Sequence, residues 1–219
     1  MTDDLKKPTG SSRVYHSALR TKQAADTRNL IMAAARQLFA ERGFAGATVA
    51  AIAQHAGVAA QTVYTVCTNK AEIMRELLSQ LEADADCEGW KARIEAQSDP
   101  RRKLDDYAAS QRTLFSTGHG ILDATIQVGG EPVVMELRAR VERNTEALLT
   151  PIIDALAEAG LLVSGLTRQD AIDRAQILGG LELYLRATQG RGWTDDKYQN
   201  WLTRVLGQQL LADVPRDPS

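Results

Sequence analysis

Residues 47–66, ATVAAIAQHAGVAAQTVYTV, constrain this chain more than any other stretch. Thr48 is placed to cap a helix whose inner face carries Val49, Ile52, Ala53 and Ala56. Gly57 supplies a tight turn, and a second short helix is predicted from about residue 59 to 65. Two short helices joined by a glycine turn can pack closely and push the second into a major groove about 12 Å wide. Val63 then faces the first helix, and Gln61, Thr62 and Thr65 are left outward. A Gln amide can pair with adenine through two hydrogen bonds, and a Thr methyl can meet the thymine methyl. Ala-rich helical hairpins also occur in bundles that touch no nucleic acid, so the outline needs support from its flanks.

The stretch has no Lys, Arg, Asp or Glu. Base edges can be read without formal charge, but affinity for a polyanion comes mainly from phosphate contacts. The flanks supply the cations. Residues 1–70 hold nine Lys/Arg against four Asp/Glu, a balance of +5, and residues 71–219 hold 17 against 24, a balance of −7. Arg13, Arg20, Lys22 and Arg28 fall on an N-terminal arm and the early first helix, Lys70 at the start of a fourth helix. A basic end on an acidic body points to one end that meets a polyanion.

Residues 1–20 are polar and are expected to form a flexible basic arm. A helix follows over about 22–42, where Ile31, Ala34, Ala35 and Leu38 repeat at i, i+3, i+4, i+7 and Gly43 is a natural terminator. Asn69-Lys70-Ala71-Glu72 resembles a capping box and opens a helix to about 85. Further helices are predicted at about 88–97, 101–115, 120–129, 132–159, 168–188 and 195–211, with a kink or break at Pro151. No segment shows sustained strand alternation, so the fold class is all-α. Three parts are expected: the arm, a helix-turn-helix domain at 21–70 and a larger helical domain at 71–219.

No apolar run approaches about 18 residues, so no membrane span is expected. The first residues, MTDDLKKPTGSS, hold no apolar stretch of a secretory signal. Cys67 and Cys87 have no metal-ligand spacing, which fits a reduced, cytoplasmic protein. Nothing resembles a P-loop, a GxSxG elbow or a GxGxxG turn, so neither catalysis nor a cofactor or metal is expected. Cys67 reads as a small buried hydrophobe. His55 reads as facing solvent or phosphate.

Residues 27–78, TRNLIMAAARQLFAERGFAGATVAAIAQHAGVAAQTVYTVCTNKAEIMRELL, resemble the N-terminal domain of the TetR family of transcriptional regulators. The matching pieces are "AA..LF...GF" in the first helix, "T...IA..AGV" in the second, "TVY" in the third and a Lys opening the fourth. ELYLRATQGRGWTDDKYQNWLTRVL also looks like the last two helices of one branch of that family. The resemblance implies an all-α homodimer whose small domains read a palindromic operator, and whose larger domain dimerises and binds a small effector that releases the DNA. By position it makes Tyr64 and Lys70 phosphate contacts, Thr48 the cap of the second helix, and Gln61, Thr62 and Thr65 base readers. Three positions depart from the family pattern. Cys67 replaces a bulky aromatic, Ala59 a Ser that would cap the third helix, and Val66 a polar residue.

The resulting expectation is a repressor of this kind. An activator or ligand-independent regulator of the same fold is the first alternative, and a helical ligand-binding or enzymatic protein without DNA binding the second. For the effector, Tyr107, Gln111, Phe115, Ile126 and Met135 are expected to line a mostly apolar pocket suited to a neutral or weakly polar ligand. For the homodimer, Tyr198, Trp201, Leu202 and Val205 form an i, i+3, i+4, i+7 stripe, and Gly179-Gly180 would admit a neighbouring helix.

Overall fold

Helical periodicity runs through nearly all of the chain, and the structure follows it. The computed structural model describes the backbone of residues 10–126 and 132–212, and the side chains of 19–118, 120–124, 132 and 134–212. Among the described residues the helices are α1 (Gly10–Gly46), α2 (Val49–His55), α3 (Ala60–Val66), α4 (Lys70–Asp84), α5 (Cys87–Ala96), α6 (Pro100–Ile126), α7 (Pro132–Glu158), α8 (Arg168–Leu178), α9 (Leu181–Arg191) and α10 (Asp195–Leu210). The chain divides into two compact units, Met1–Met74 and Arg75–Ser219, so the division falls inside α4. Among the described residues no helix is long and apolar enough to cross a membrane.

The first unit is held by one apolar face of α1. Ile31, Ala35, Leu38 and Phe39 are buried there with Ile52 and Val63 from the two short helices. Gly43 takes φ 68 and ψ 175, outside helical space, and breaks α1 before Phe44 enters the core. The stretch read as an arm is helical from Gly10 onward, so α1 begins well before residue 22; residues 1–9 lie outside the described residues.

The second unit packs α6 against α5, α7, α9 and α10, with α8 against α7 and α10. Three helix boundaries differ from the sequence expectation. α6 runs unbroken through Gly118 instead of ending near 115, and a Cβ on Gly118 would come within 2.2 Å of Leu81 Cδ2. That glycine serves a close helix approach rather than a turn. The segment 168–188 is two helices, since Gly179 closes α8 and Gly180, extended at φ −72 and ψ 150, opens α9. Finally, α7 continues through Pro151, which is exposed.

The stripe assigned to a dimer needs correction. Tyr198, Leu202, Leu206 and Leu210 recur every fourth residue on α10 and are fully buried within this single chain. Tyr198 packs edge-on against Tyr184 at 5.1 Å between ring centroids. Gly179 does admit a close neighbour, but it is the chain's own Tyr107, whose Oη would lie 2.6 Å from a Cβ there. Only Trp201 and Val205 of the stripe, with Gly180, keep partial exposure.

Candidate nucleic-acid interface

The short α2 has too few residues to be stable alone, so its ends matter. Thr48 Oγ1 accepts a hydrogen bond from Ala51 N at 3.1 Å, which satisfies one of the four free amides at its start. At its other end Val58 N donates to Ala53 O at 3.0 Å, and Gly57 takes the left-handed conformation, φ 68. A side chain with a Cβ at Gly57 would strain this turn. Thr48→Ala is therefore expected to destabilise the first unit by about 1 kcal/mol, read as a lower midpoint in thermal melts.

After the turn, α3 starts at Ala59 without a side-chain cap. Its register is decided by Val63, which is fully buried. With Val63 turned inward, Gln61, Tyr64 and Thr65, related as i, i+3, i+4, share the opposite, exposed face. Tyr64 is 51% exposed, unusual for an aromatic side chain of a domain this small. Thr62 is half-buried at the edge of that face. Thr65 Oγ1 donates to Gln61 O at 2.9 Å, so its hydroxyl is engaged by the helix backbone and its methyl is the apolar part left for a neighbour.

Two cations bracket this helix. Arg28, exposed on α1, donates from Nη1 to Val66 O at the end of α3, at 3.5 Å. Lys70 Nζ donates to Phe44 O at 2.6 Å and sits 4.2 Å from the centroid of the Phe44 ring. The start of α4 is closed by its own side chains. Glu72 N donates to Asn69 Oδ1 at 2.9 Å, and Thr68 N donates to Glu72 Oε2 at 2.6 Å. Half of the capping box thus forms: Asn69 caps the Glu72 amide, while the Glu72 carboxylate reaches back to Thr68 N instead of the Asn69 amide. Cys67 is buried, and His55 is exposed with Nε2 at 3.0 Å from Gln37 Oε1. The Phe44–Lys70 contact was not visible in the sequence because half of it is made by a backbone carbonyl, which no side-chain pattern encodes.

The expected effector residues divide. Tyr107, Gln111 and Phe115 follow one another at i, i+4, i+8 on α6 and are all buried. Phe115 meets Tyr184 at 5.4 Å between centroids, which ties this face to the Tyr184–Tyr198 pair. Met135, by contrast, is 61% exposed on α7 and does not join them, and the Ile126 side chain lies outside the described residues.

A glycine-turned helix pair with one buried apolar anchor and a compact outward polar face defines a helix-turn-helix DNA-binding domain. Known proteins agree. Residues 31–77 match the model of the bacterial regulatory proteins, tetR family. The chain is 39% identical over 199 residues to the HTH-type transcriptional regulator TtgR of Pseudomonas putida, covering 90% of each protein. It superposes on NalD, the secondary repressor of the MexAB-OprM multidrug efflux pump in Pseudomonas aeruginosa, with a TM-score of 0.71 and 25% identity over 88% of this chain and 100% of that one. The fold is shared too with the regulator FadR from Bacillus subtilis in complex with stearoyl-CoA, at TM-score 0.66 and 19% identity over 81% of this chain and 96% of that one. The chain belongs to the TetR family and is a helix-turn-helix transcriptional regulator.

Proposed function

We propose that the chain is a homodimeric repressor of the cytoplasm, without catalysis or cofactor, which a small neutral effector releases from a palindromic operator. The observation that carries the DNA-reading part is the outward face of α3. Gln61 and Thr65, with Thr62 at the edge, read base edges, while Tyr64, Lys70 and Arg28 meet the backbone. Thr48 holds the α2 start in the same surface. A palindrome needs two copies of this face, and Trp201, Val205 and Gly180, together with the 71%-exposed Ile177 on α8, are the positions with surface left to give a second chain.

The effector reading rests on the α6 face. Tyr107, Gln111 and Phe115 offer two rings and one amide, and no hydrogen bond to the Gln111 side chain is formed among the described residues. Ser110 and Gln111 are the buried polar residues among those described, and the half-buried Arg112 and Arg140 are each already paired with a carboxylate, Asp196 and Glu82. Burial pushes the Tyr107 and Tyr198 hydroxyls well above the usual phenol range, which keeps them neutral donors and acceptors. The FadR neighbour, solved in complex with stearoyl-CoA, supports reading the larger unit as a ligand-binding one.

The test is fluorescence anisotropy on DNA flanking the protein's own gene, with sedimentation of the complex. One dimer per site and a clear preference over scrambled DNA are expected. Equal affinity for both sequences would contradict the proposal.

A further inference from the structure

We propose that Phe44 is a positioning residue for DNA binding, holding the Lys70 ammonium where it meets a phosphate; this rests on the reading of Lys70 as a phosphate contact. The chain break at Gly43 turns Phe44 so that its ring enters the core, stacked 5.6 Å from Phe39, while its carbonyl faces Lys70. One residue therefore meets the same ammonium twice. The carbonyl accepts its hydrogen bond at 2.6 Å, and the negative face of the ring lies 4.2 Å away. The stem of Lys70 is anchored as well, because the Asn69–Glu72 capping pair fixes the first turn of α4 from which it springs.

A lysine on a surface normally samples many rotamers, and fixing it on binding costs affinity. Here that ordering is completed when the domain folds. Attraction to a phosphate depends on where the charge stands, and Phe44 determines that position. A Leu at this position would fill most of the same core volume but would have no ring face for the ammonium.

A double-mutant cycle separates this role from plain core packing. Operator affinity is measured against salt for the full-length protein, Phe44→Leu, Lys70→Gln and the double variant, on active-protein concentrations, with melts for each. Lys70→Gln is expected to lose about tenfold in affinity and to flatten the salt dependence. Phe44→Leu is expected to lose about fivefold when Lys70 is present and nothing further when it is Gln. Incorporating a ring-fluorinated phenylalanine at position 44 keeps the shape and weakens the ring face, and affinity should fall with fluorination. Equal Phe44→Leu losses in both backgrounds, or affinity indifferent to fluorination, would overturn the role of Phe44 alone. No effect of Lys70→Gln on affinity or salt slope would overturn it together with the phosphate reading beneath it.

Discussion

Tyr198→Ala is expected to lower folding stability by about 3–5 kcal/mol, whereas Tyr198→Phe should leave it unchanged or raise it by about 1 kcal/mol. The ring is fully buried and packed against Tyr184 and Trp201, so truncation removes a large apolar surface and leaves a cavity. The hydroxyl contributes differently. Tyr198 Oη is buried with no hydrogen-bond partner among the described residues, so deleting it relieves an uncompensated polar group. Urea unfolding of the three proteins at two concentrations measures both effects. A residue that served mainly a dimer interface would instead give an alanine variant with a nearly intact monomer, and a phenylalanine variant weakened in association.

The second large effect is the linkage between effector and operator. A two-state regulator moves from 1:99 to 99:1 only if the ligand favours one state by about 5.5 kcal/mol. Linkage is reciprocal, so operator DNA must weaken effector binding by the same factor by which effector weakens DNA binding. The compound is found by its release of the operator complex, and its affinity is then titrated with and without saturating operator. Phe115→Ala and Gln111→Leu are expected to weaken that affinity while free-protein operator binding stays within about twofold. Equal ligand affinity with and without operator would rule out release by population shift.

The helix-turn-helix was legible because each of its parts rests on a local rule. Gly57 needs a positive φ, Thr48 needs to cap α2, and Val63 alone among Gln61–Thr65 is apolar enough to take the buried position. The larger unit was less legible because its glycines have two different uses. Gly118 reads as a break and Gly179 as a point of close approach inside one helix, yet the first sits inside a continuous helix to admit Leu81, and the second both ends α8 and admits Tyr107. Those neighbours are 37 and 72 positions away in the sequence, a separation that no local pattern spans. The stripe on α10 was correctly seen as apolar, but spacing alone does not say which surface covers it. In the structure its Tyr198 and Leu202 face the chain's own core. Asn69 caps the Glu72 amide as predicted, but the Glu72 carboxylate returns to Thr68 N, one residue before the predicted partner, because the backbone turn ahead of α4 and not the residue types decides which amide it meets.

The central claim is a division of labour across α3 and the start of α4, and one experiment addresses it directly. Gln61→Ala and Lys70→Ala are each titrated onto the operator, onto operators changed at single positions, and onto scrambled DNA, over a range of salt concentrations. Gln61→Ala is expected to cost about 1–3 kcal/mol on the operator, to lose discrimination at one base position in each half-site, and to leave the salt slope intact. Lys70→Ala is expected to weaken binding to every sequence and to reduce the salt slope by about 1 per half-site. If the two variants lose affinity in the same proportion on matched and scrambled DNA, with the same salt slope, the outward face of α3 does not read bases and the account is wrong.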